Sequence, residues 1–303
     1  MTTGTRTNES VHDLTPDPRP GRVVVGVDGS APSLLALEWA LAEAARRHTE
    51  CRVVSASEGW AMAAGDSTTD VDLVDREGAV AKLVEAARRR AGVAHVTANV
   101  VVVPGRPALV LPLATKGAAL LVVGTRGRAA ALEALFGSVA EECLRRSSSP
   151  VVVVPPDARI AATYQRLVVG VDGSAPSRAA LAWAADEARR RDAELVLLHT
   201  WNVAVAPANP YAAVDSGVFR DAGAAILAEA VSEIQGVVPS LRSRLILGSP
   251  AHSLCEAAAG ADLVVVGGRG RGLLAGALIG SVSQVCARHA PCPVVVVRED
   301  SER

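Results

Sequence analysis

Two stretches of the chain place glycines, a serine and arginines at one shared spacing. Gly124, Gly127, Gly137 and Ser138 follow the pattern G-x2-G-x9-G-S, and Gly267, Gly270, Gly280 and Ser281 repeat it. The pattern suits a polyphosphate. Glycine tolerates positive φ and lets backbone N–H groups come close to an anion. Ser138 and Ser281 add hydroxyl donors where a helix is expected to begin, and there the dipole favours negative charge. Arg126, Arg128, Arg269 and Arg271 bring positive charge into the same loops. The structural alternative is a pair of pliable glycine loops with solvated arginines.

Other catalytic or metal-binding patterns are missing from the sequence. Neither Lys82 nor Lys116 follows a GxxxxGK[ST] loop, and no HExxH or GxSxG occurs. The six histidines (His12, His48, His95, His199, His252, His289) form no local metal pattern, and only His252 falls near the loops by motif position. The five cysteines include no CxxC pair and read as reduced thiols, with Cys292 buried at the start of a strand. Trp39 and Trp183 occupy equivalent helix positions and read as core packing. The 31 Lys plus Arg nearly balance 32 Asp plus Glu and only 3% of residues are aromatic, which argues against a nucleic-acid partner. No run approaches the ~18 apolar residues of a membrane span, so neither membrane nor secretion is expected and the location is read as cytoplasmic.

The elements that must position these residues come in two copies. Val24 to Ser33 recurs letter for letter as Val168 to Ser177, and Gly137-Ser138-Val139 recurs as Gly280-Ser281-Val282. Within each copy, Val-rich runs of strand length alternate with helical stretches. Strands are expected at Val23–Val27, Arg52–Ala56, Val96–Val103, Leu120–Val123 and Val151–Val154. In the second copy they are expected at Leu167–Val171, Leu195–His199, Arg242–Leu247, Leu263–Val266 and Val294–Val297. Non-alternating apolar strands predict burial on both faces. Between the first two runs Leu34, Leu37 and Leu41 recur at helical spacing, with polar Glu43, Arg46 and Arg47 towards the end. The reading is α/β: two tandem open five-stranded parallel sheets covered by helices. Residues 1–21 are expected to be a disordered arm, 22–155 the first domain, 156–165 a linker, 166–298 the second domain and 299–303 a tail. Ligands of such sheets bind beyond the carboxyl ends of the strands. There strand one ends in Val27-Asp28-Gly29-Ser30-Ala31-Pro32, where Asp28 or a serine serves equally well as a helix cap.

The VGVDGS strand end, the GRPA and GSPA turns (Gly105–Ala108, Gly248–Ala251), the LVVG strand, the glycine loops and the final SSPVVVV and CPVVVV strands together resemble the universal stress protein family. The likeness is to a tandem, ATP-binding member, and it covers nearly everything but the tails. It implies a Rossmann-like, adenine nucleotide alpha hydrolase-like fold with an adenine nucleotide, ATP with Mg2+, in each half. The residues it implies for the first site are Gly26, Asp28, Gly124, Thr125, Arg126, Gly127, Arg128, Gly137, Ser138 and Val139. For the second they are Gly170, Asp172, Gly267, Gly268, Arg269, Gly270, Arg271, Gly280, Ser281 and Val282. Ends of strand two (Val54–Ala56, Leu198–Thr200) would border adenine and ribose. The second loop keeps extra glycines, Gly272 and Gly276, where the first has Ala129 to Ala131 and Glu133, which favours the second site.

The leading expectation is a nucleotide-gated regulatory or stress-response protein acting on an unidentified protein partner. The alternative is a slow ATPase or phosphotransferase using the same loops. The bare valine runs Val151–Val154 and Val294–Val297 would lie at sheet edges, and an apolar edge invites pairing. Near-identical repeats predict that the two runs pair antiparallel across a pseudo-two-fold axis, leaving homodimerisation to some other surface.

Overall fold

The computed structural model describes residues 21–57, 70–126, 136–160, 164–202, 216–270 and 279–298. The first half runs β1 (Val23–Gly26), α1 (Ala31–Arg46), β2 (Cys51–Ser57), α2 (Asp70–Ala91), β3 (Ala98–Pro104), α3 (Pro107–Leu113), β4 (Leu120–Gly124), α4 (Ser138–Arg146) and β5 (Val151–Val154). The second runs β6 (Arg166–Gly170), α5 (Ala175–Arg191), β7 (Glu194–Trp201), α6 (Ser216–Ile234), β8 (Ser240–Leu247), α7 (Pro250–Ala258), β9 (Leu263–Gly267), α8 (Ser281–His289) and β10 (Val294–Val297). The duplicated turn explains how α1 and α5 start. Gly29 and Gly173 take φ of 84° and 75°, which glycine alone adopts without strain. Ser30 and Ser174 then cap the helices by accepting from the N–H groups of Ser33 and Ser177, with proline in the first turn.

All ten strands form one sheet in the order β3-β2-β1-β4-β5-β10-β9-β6-β7-β8. Each half is parallel within itself, as a Rossmann-like α/β unit should be. The halves meet at a single antiparallel junction in which Val151, Val152 and Val153 face Val296, Val295 and Val294. The valine runs therefore pair as expected, and what would be two apolar edges become the middle of the sheet. Residues alternate along the central strands, so Val152, Val154, Val295 and Val297 join one core layer and Val151, Val153, Val294 and Val296 the other. Side chains from α1, α2, α5 and α6 fill the first layer, and those from α3, α4, α7 and α8 the second. Each layer contains residues of both repeats.

One expectation needs correction. Burial on both faces fails at the outer strands: Arg242, Ser243, Arg244 and Leu247 of β8 are exposed, and Ala98 to Val101 of β3 are half-buried. These strands end the sheet, and arginines on β8 blunt an otherwise free edge. The polar end of α1 is not solvated. Glu43 is 0% exposed and its counterpart on α5, Glu187, 2%.

Both carboxylates are buried because α1 and α5 meet across the pseudo-two-fold axis and pair crosswise. Arg47 reaches Glu43 Oε1 through Nε and Glu187 Oε2 through Nη2, each at 2.5 Å. Arg191 Nη2 returns the arrangement, 2.6 Å from Glu43 Oε2 and 2.5 Å from Glu187 Oε1. Each arginine thus bridges both acids. Tyr164, from the segment expected to be a linker, is buried beside the ring, where it accepts from Trp39 Nε1 at 2.6 Å. The Arg191 and Arg46 guanidinium groups lie 4.1 and 4.9 Å from its ring centroid. Burial alone would raise the Glu43 carboxyl, but Arg191 and Arg47 outweigh it and hold the group down at about 2, below its ordinary 4.5.

A carboxylate depressed in the folded state stabilises above its unfolded value and loses that contribution as the pH falls towards its folded value. Glu43→Gln should therefore lower stability at neutral pH by about 3 kcal/mol, the cost of leaving buried charge unpaired. It should also flatten the stability profile between pH 4.5 and 2, measured by urea unfolding across that range. The junction makes a separate expectation. Val152→Lys inserts an unpaired charge at a fully buried position and should separate the halves or aggregate the chain, seen by size-exclusion chromatography. Unchanged elution and thermal midpoint would contradict it.

Candidate functional site

The carboxyl ends of β1 and β4, and of β6 and β9, bring the duplicated motifs together. A Cβ on Gly124 would stand 2.7 Å from the Pro32 carbonyl oxygen, and one on Gly267 would stand 2.8 Å from the Pro176 carbonyl carbon. These glycines let the end of the fourth strand of each half touch the first turn of its first helix. That contact sets the glycine loop beside the Asp28 or Asp172 turn. In the second half the approach is visible atom by atom, since a Cβ on Gly270 would lie 2.5 Å from Asp172 Oδ2. Gly26 and Gly170 play another part. Their missing side chains make room for Leu111 of α3 and Leu254 of α7, on the face of the sheet away from α1 and α5.

The aspartates are held within their turns. Asp28 Oδ1 accepts from the Ser30 N–H at 2.9 Å and from Ser30 Oγ at 2.6 Å; Asp172 Oδ1 accepts from the Ser174 N–H at 2.9 Å. The Asp28 and Asp172 backbone N–H groups donate to Ser33 Oγ and Ser177 Oγ at 3.3 and 3.0 Å, which closes each turn. One oxygen of Asp172 is thereby fixed while the other faces Gly270.

The loops close on themselves. The Gly137 N–H donates to the Thr125 carbonyl at 2.8 Å, and the Gly280 N–H donates to the Gly268 carbonyl at 2.7 Å. These two glycines cap α4 and α8, neither with a side-chain capping bond. Their own amides are engaged, so the groups left pointing outward are those that follow: Ser138, Val139 and Ala140 on α4, and Ser281, Val282 and Ser283 on α8. The intrahelical ladder resumes only at Glu141 and Gln284, which donate to Gly137 and Gly280. Ser138 and Ser281 are exposed, with Val139 and Val282 half-buried. Arg126 is half-buried and Arg269 exposed at the same loops. Gly127, Arg128 and Arg271, with Glu133, Gly272 and Gly276, lie outside the described residues.

Several side chains here are not apparent from the motifs. Thr125 is 5% exposed, and its Oγ1 is buried without a hydrogen-bond partner next to the capping glycine of α4. The second half has Gly268 at this position, and there Arg298 takes the space, its Cγ 3.1 Å from where a Gly268 Cβ would be. Arg298 also donates from Nη1 to the Arg145 carbonyl at the last turn of α4, joining the second loop to the first half. Burial and the like charge of Arg269 hold its guanidinium below the ordinary value. In the reverse direction Arg288 of α8 stacks over Phe136, the residue before Gly137, 5.4 Å from the ring centroid. Ser283 secures α8 by donating to the Gly267 carbonyl at 2.5 Å. The one sequence signal for these was divergence between the copies: Thr125 against Gly268, Ala140 against Ser283, Pro155 against Arg298.

The histidines stand apart from this chemistry. His252 is exposed on α7 with Nε2 3.2 Å from Glu256 Oε1, and His199 is buried with Nδ1 2.6 Å from the Val171 carbonyl. Among the described residues no group of three or more His, Cys, Asp or Glu side chains could hold a metal ion, and no helix is long and apolar enough to cross a membrane.

Comparison with known proteins agrees with this architecture. The model of the universal stress protein family matches residues 20–155 and again 163–298. A universal stress protein of Mycobacterium tuberculosis (strain ATCC 25618 / H37Rv) is 34% identical over 301 residues, covering 91% of this chain and 94% of its own length. A second from the same strain is 35% identical over 295 residues, covering 91% and 97%. Among solved structures, a universal stress protein from Archaeoglobus fulgidus DSM 4304 aligns with a TM-score of 0.66 over 91% of this chain and 98% of that one. At 21% identity it speaks to the fold. With two family matches spanning both repeats and relatives alike along nearly their whole length, the chain belongs to the universal stress protein family.

Proposed function

We propose that each half binds an adenine nucleotide, with ATP and Mg2+ as the working ligand, and that occupancy gates a regulatory contact with a protein partner. The observation that carries this reading is the duplicated helix start. In both halves the capping glycine closes its loop, and the next amides of a nine-residue helix, which have no intrahelical acceptor, follow a loop that carries an arginine. Such amides and the helix dipole favour phosphate. The residues fit the group on two counts. The buried Thr125 hydroxyl lacks a partner at the first loop, and at the second the absence of a Gly270 side chain lets the loop backbone come close to the Asp172 carboxylate.

In this reading Ser138, Val139, Ser281 and Val282 donate to phosphate oxygens, Arg126 and Arg269 supply charge, and the Asp172 carboxylate faces ribose hydroxyls or a hydrated Mg2+. Bound ATP would supply a flexible anionic chain that distinguishes occupied from empty loops. Gating is favoured over turnover because the described part of each loop presents backbone amides, serines and an arginine, groups that bind phosphate and none of which is a general base. A ligand gates only through differential affinity for two states. Arg298, which touches the second loop and the end of α4, supplies a physical connection between the halves.

Calorimetric titration of the full chain with Mg-ATP should give about two sites per chain, one for each helix start. Arg269→Glu reverses charge on an exposed side chain and should weaken the second site at least about tenfold, or ~1.4 kcal/mol, while sparing the first. Absence of heat and of any thermal shift at millimolar nucleotide would reject the reading. ATP turnover should remain far below the ~10 per second typical of enzymes. A rate of that order, abolished by Asp172→Ala with binding intact, would favour the hydrolytic alternative.

A further inference from the structure

Outside the candidate nucleotide sites, the second half holds a pair of thiols that the first half lacks. Cys255 lies on α7 and Cys286 on α8, and the two helices pack side by side, α7 chiefly against β6 and β7 and α8 against β9 and β10. Both side chains belong to one packed apolar layer, Cys286 within it and Cys255 against it, and each thiol influences the ionisation of the other. Their environments differ: Cys286 is 0% exposed, whereas Cys255 is half-buried and reachable by a small solute. The corresponding buried thiol of the first half, Cys143 on α4, has Pro112 where the second half has Cys255. Cys292 is a third buried thiol nearby, before β10.

We propose that Cys255 and Cys286 are an oxidisable dithiol that hydrogen peroxide converts to an intramolecular disulfide tying α7 to α8. Cys255, the accessible member, is the sulfur that meets the oxidant. Its thiolate attacks one peroxide oxygen, the O–O bond breaks, and the departing hydroxide takes up a proton as water, leaving a sulfenic acid on Cys255. The Cys286 sulfur, in the same packed layer, then attacks the Cys255 sulfur. The S–S bond forms as the S–O bond breaks, and the hydroxide leaves as water with the Cys286 proton. The net change is two thiols and one peroxide to one disulfide and two waters, with two electrons passing to the peroxide. Burial pushes the Cys255 thiol up, which keeps the first step slow and calls for excess peroxide. The neighbouring Cys286 thiol acts the other way. The link would fix α8, whose first turn carries Ser281, against α7.

The test uses the intact reduced protein, without nucleotide, treated with excess hydrogen peroxide. Remaining thiols are alkylated in denaturant without reductant, and the peptides are mapped by mass spectrometry. The expected result is a chain lighter by two hydrogens before alkylation, with two fewer alkylated cysteines and one linked peptide pair containing Cys255 and Cys286. Cys292→Ser should leave that linkage intact. Cys255→Ser should leave Cys286 fully alkylatable. The proposal is overturned if Cys255 collects oxygen while Cys286 stays alkylatable, or if the linkage joins Cys292 or two chains. It is equally overturned if all cysteines alkylate under conditions that oxidise glutathione in the same tube.

Discussion

The short antiparallel pairing between β5 and β10 is the constraint on which the rest of the molecule depends. Everything else in the sheet is parallel, so this junction alone turns one half over relative to the other. The carboxyl ends of the strands, where the glycine loops sit, consequently lie at opposite ends of the sheet. The helices follow. Since α4 starts at the first loop and runs back along its own half, its last turn arrives beside the second loop. There Arg298 reaches the Arg145 carbonyl. By the same geometry α8 ends near the first loop, and Arg288 covers Phe136. A parallel junction would have placed both helix starts at one end and made neither contact.

The ring of Glu43, Arg47, Glu187 and Arg191 acts on the opposite face of the sheet and answers a different question, that of alignment. Valine runs are nearly interchangeable with themselves, so a pairing of three valines with three valines defines its register weakly. The ring supplies what the valines cannot. Two arginines each span two buried carboxylates, and slipping α1 past α5 by a turn would leave buried charges without partners, at several kcal/mol apiece. Desolvation opposes the pairs even in register, as the upward effect of burial on Glu43 shows. Their contribution is therefore chiefly to penalise the wrong dockings, with the two shared apolar layers supplying the adhesion.

Much of this was legible in the letters. The repeat, the parallel strands, the cap at Ser30 and Ser174, and the pairing of the final valine runs follow from local composition and from the copying of one unit. The burial of Glu43 was not legible because helical periodicity reports one apolar face, directed at the sheet. It says nothing of a second face buried by the matching helix of the other half. The exposure of β8 was hidden for a similar reason: whether a strand is central or outermost is a property of sheet order, although Arg242 and Arg244 were a hint. At the loops the glycine spacing located the right segment without saying which amides are available. Gly137 and Gly280 look like phosphate donors in sequence, yet their N–H groups close the loops, a bond between residues a dozen positions apart. The nearness of Cys255 to Cys286 depends on how α7 packs on α8, and no spacing along the chain encodes it.

The differences between the two copies carry as much meaning as their identity. The glycines shared by both halves serve the backbone: Gly29 and Gly173 take positive φ, and Gly124 and Gly267 sit where backbone approaches backbone and a side chain would intrude. Such positions are constrained by geometry in each half separately. Positions that differ lie where the halves meet each other or face the loop interior. Thr125 places a hydroxyl in the first loop, where the second has only Gly268 and the overlying Arg298. Ser283 anchors α8 to Gly267, whereas Ala140 leaves α4 without that bond. A symmetric pair of chains would have to place Arg298 and Pro155 at the same site and could not have both. Joining the repeats in one chain removes that restriction, so the two loops can hold different polar groups within one nearly symmetric frame.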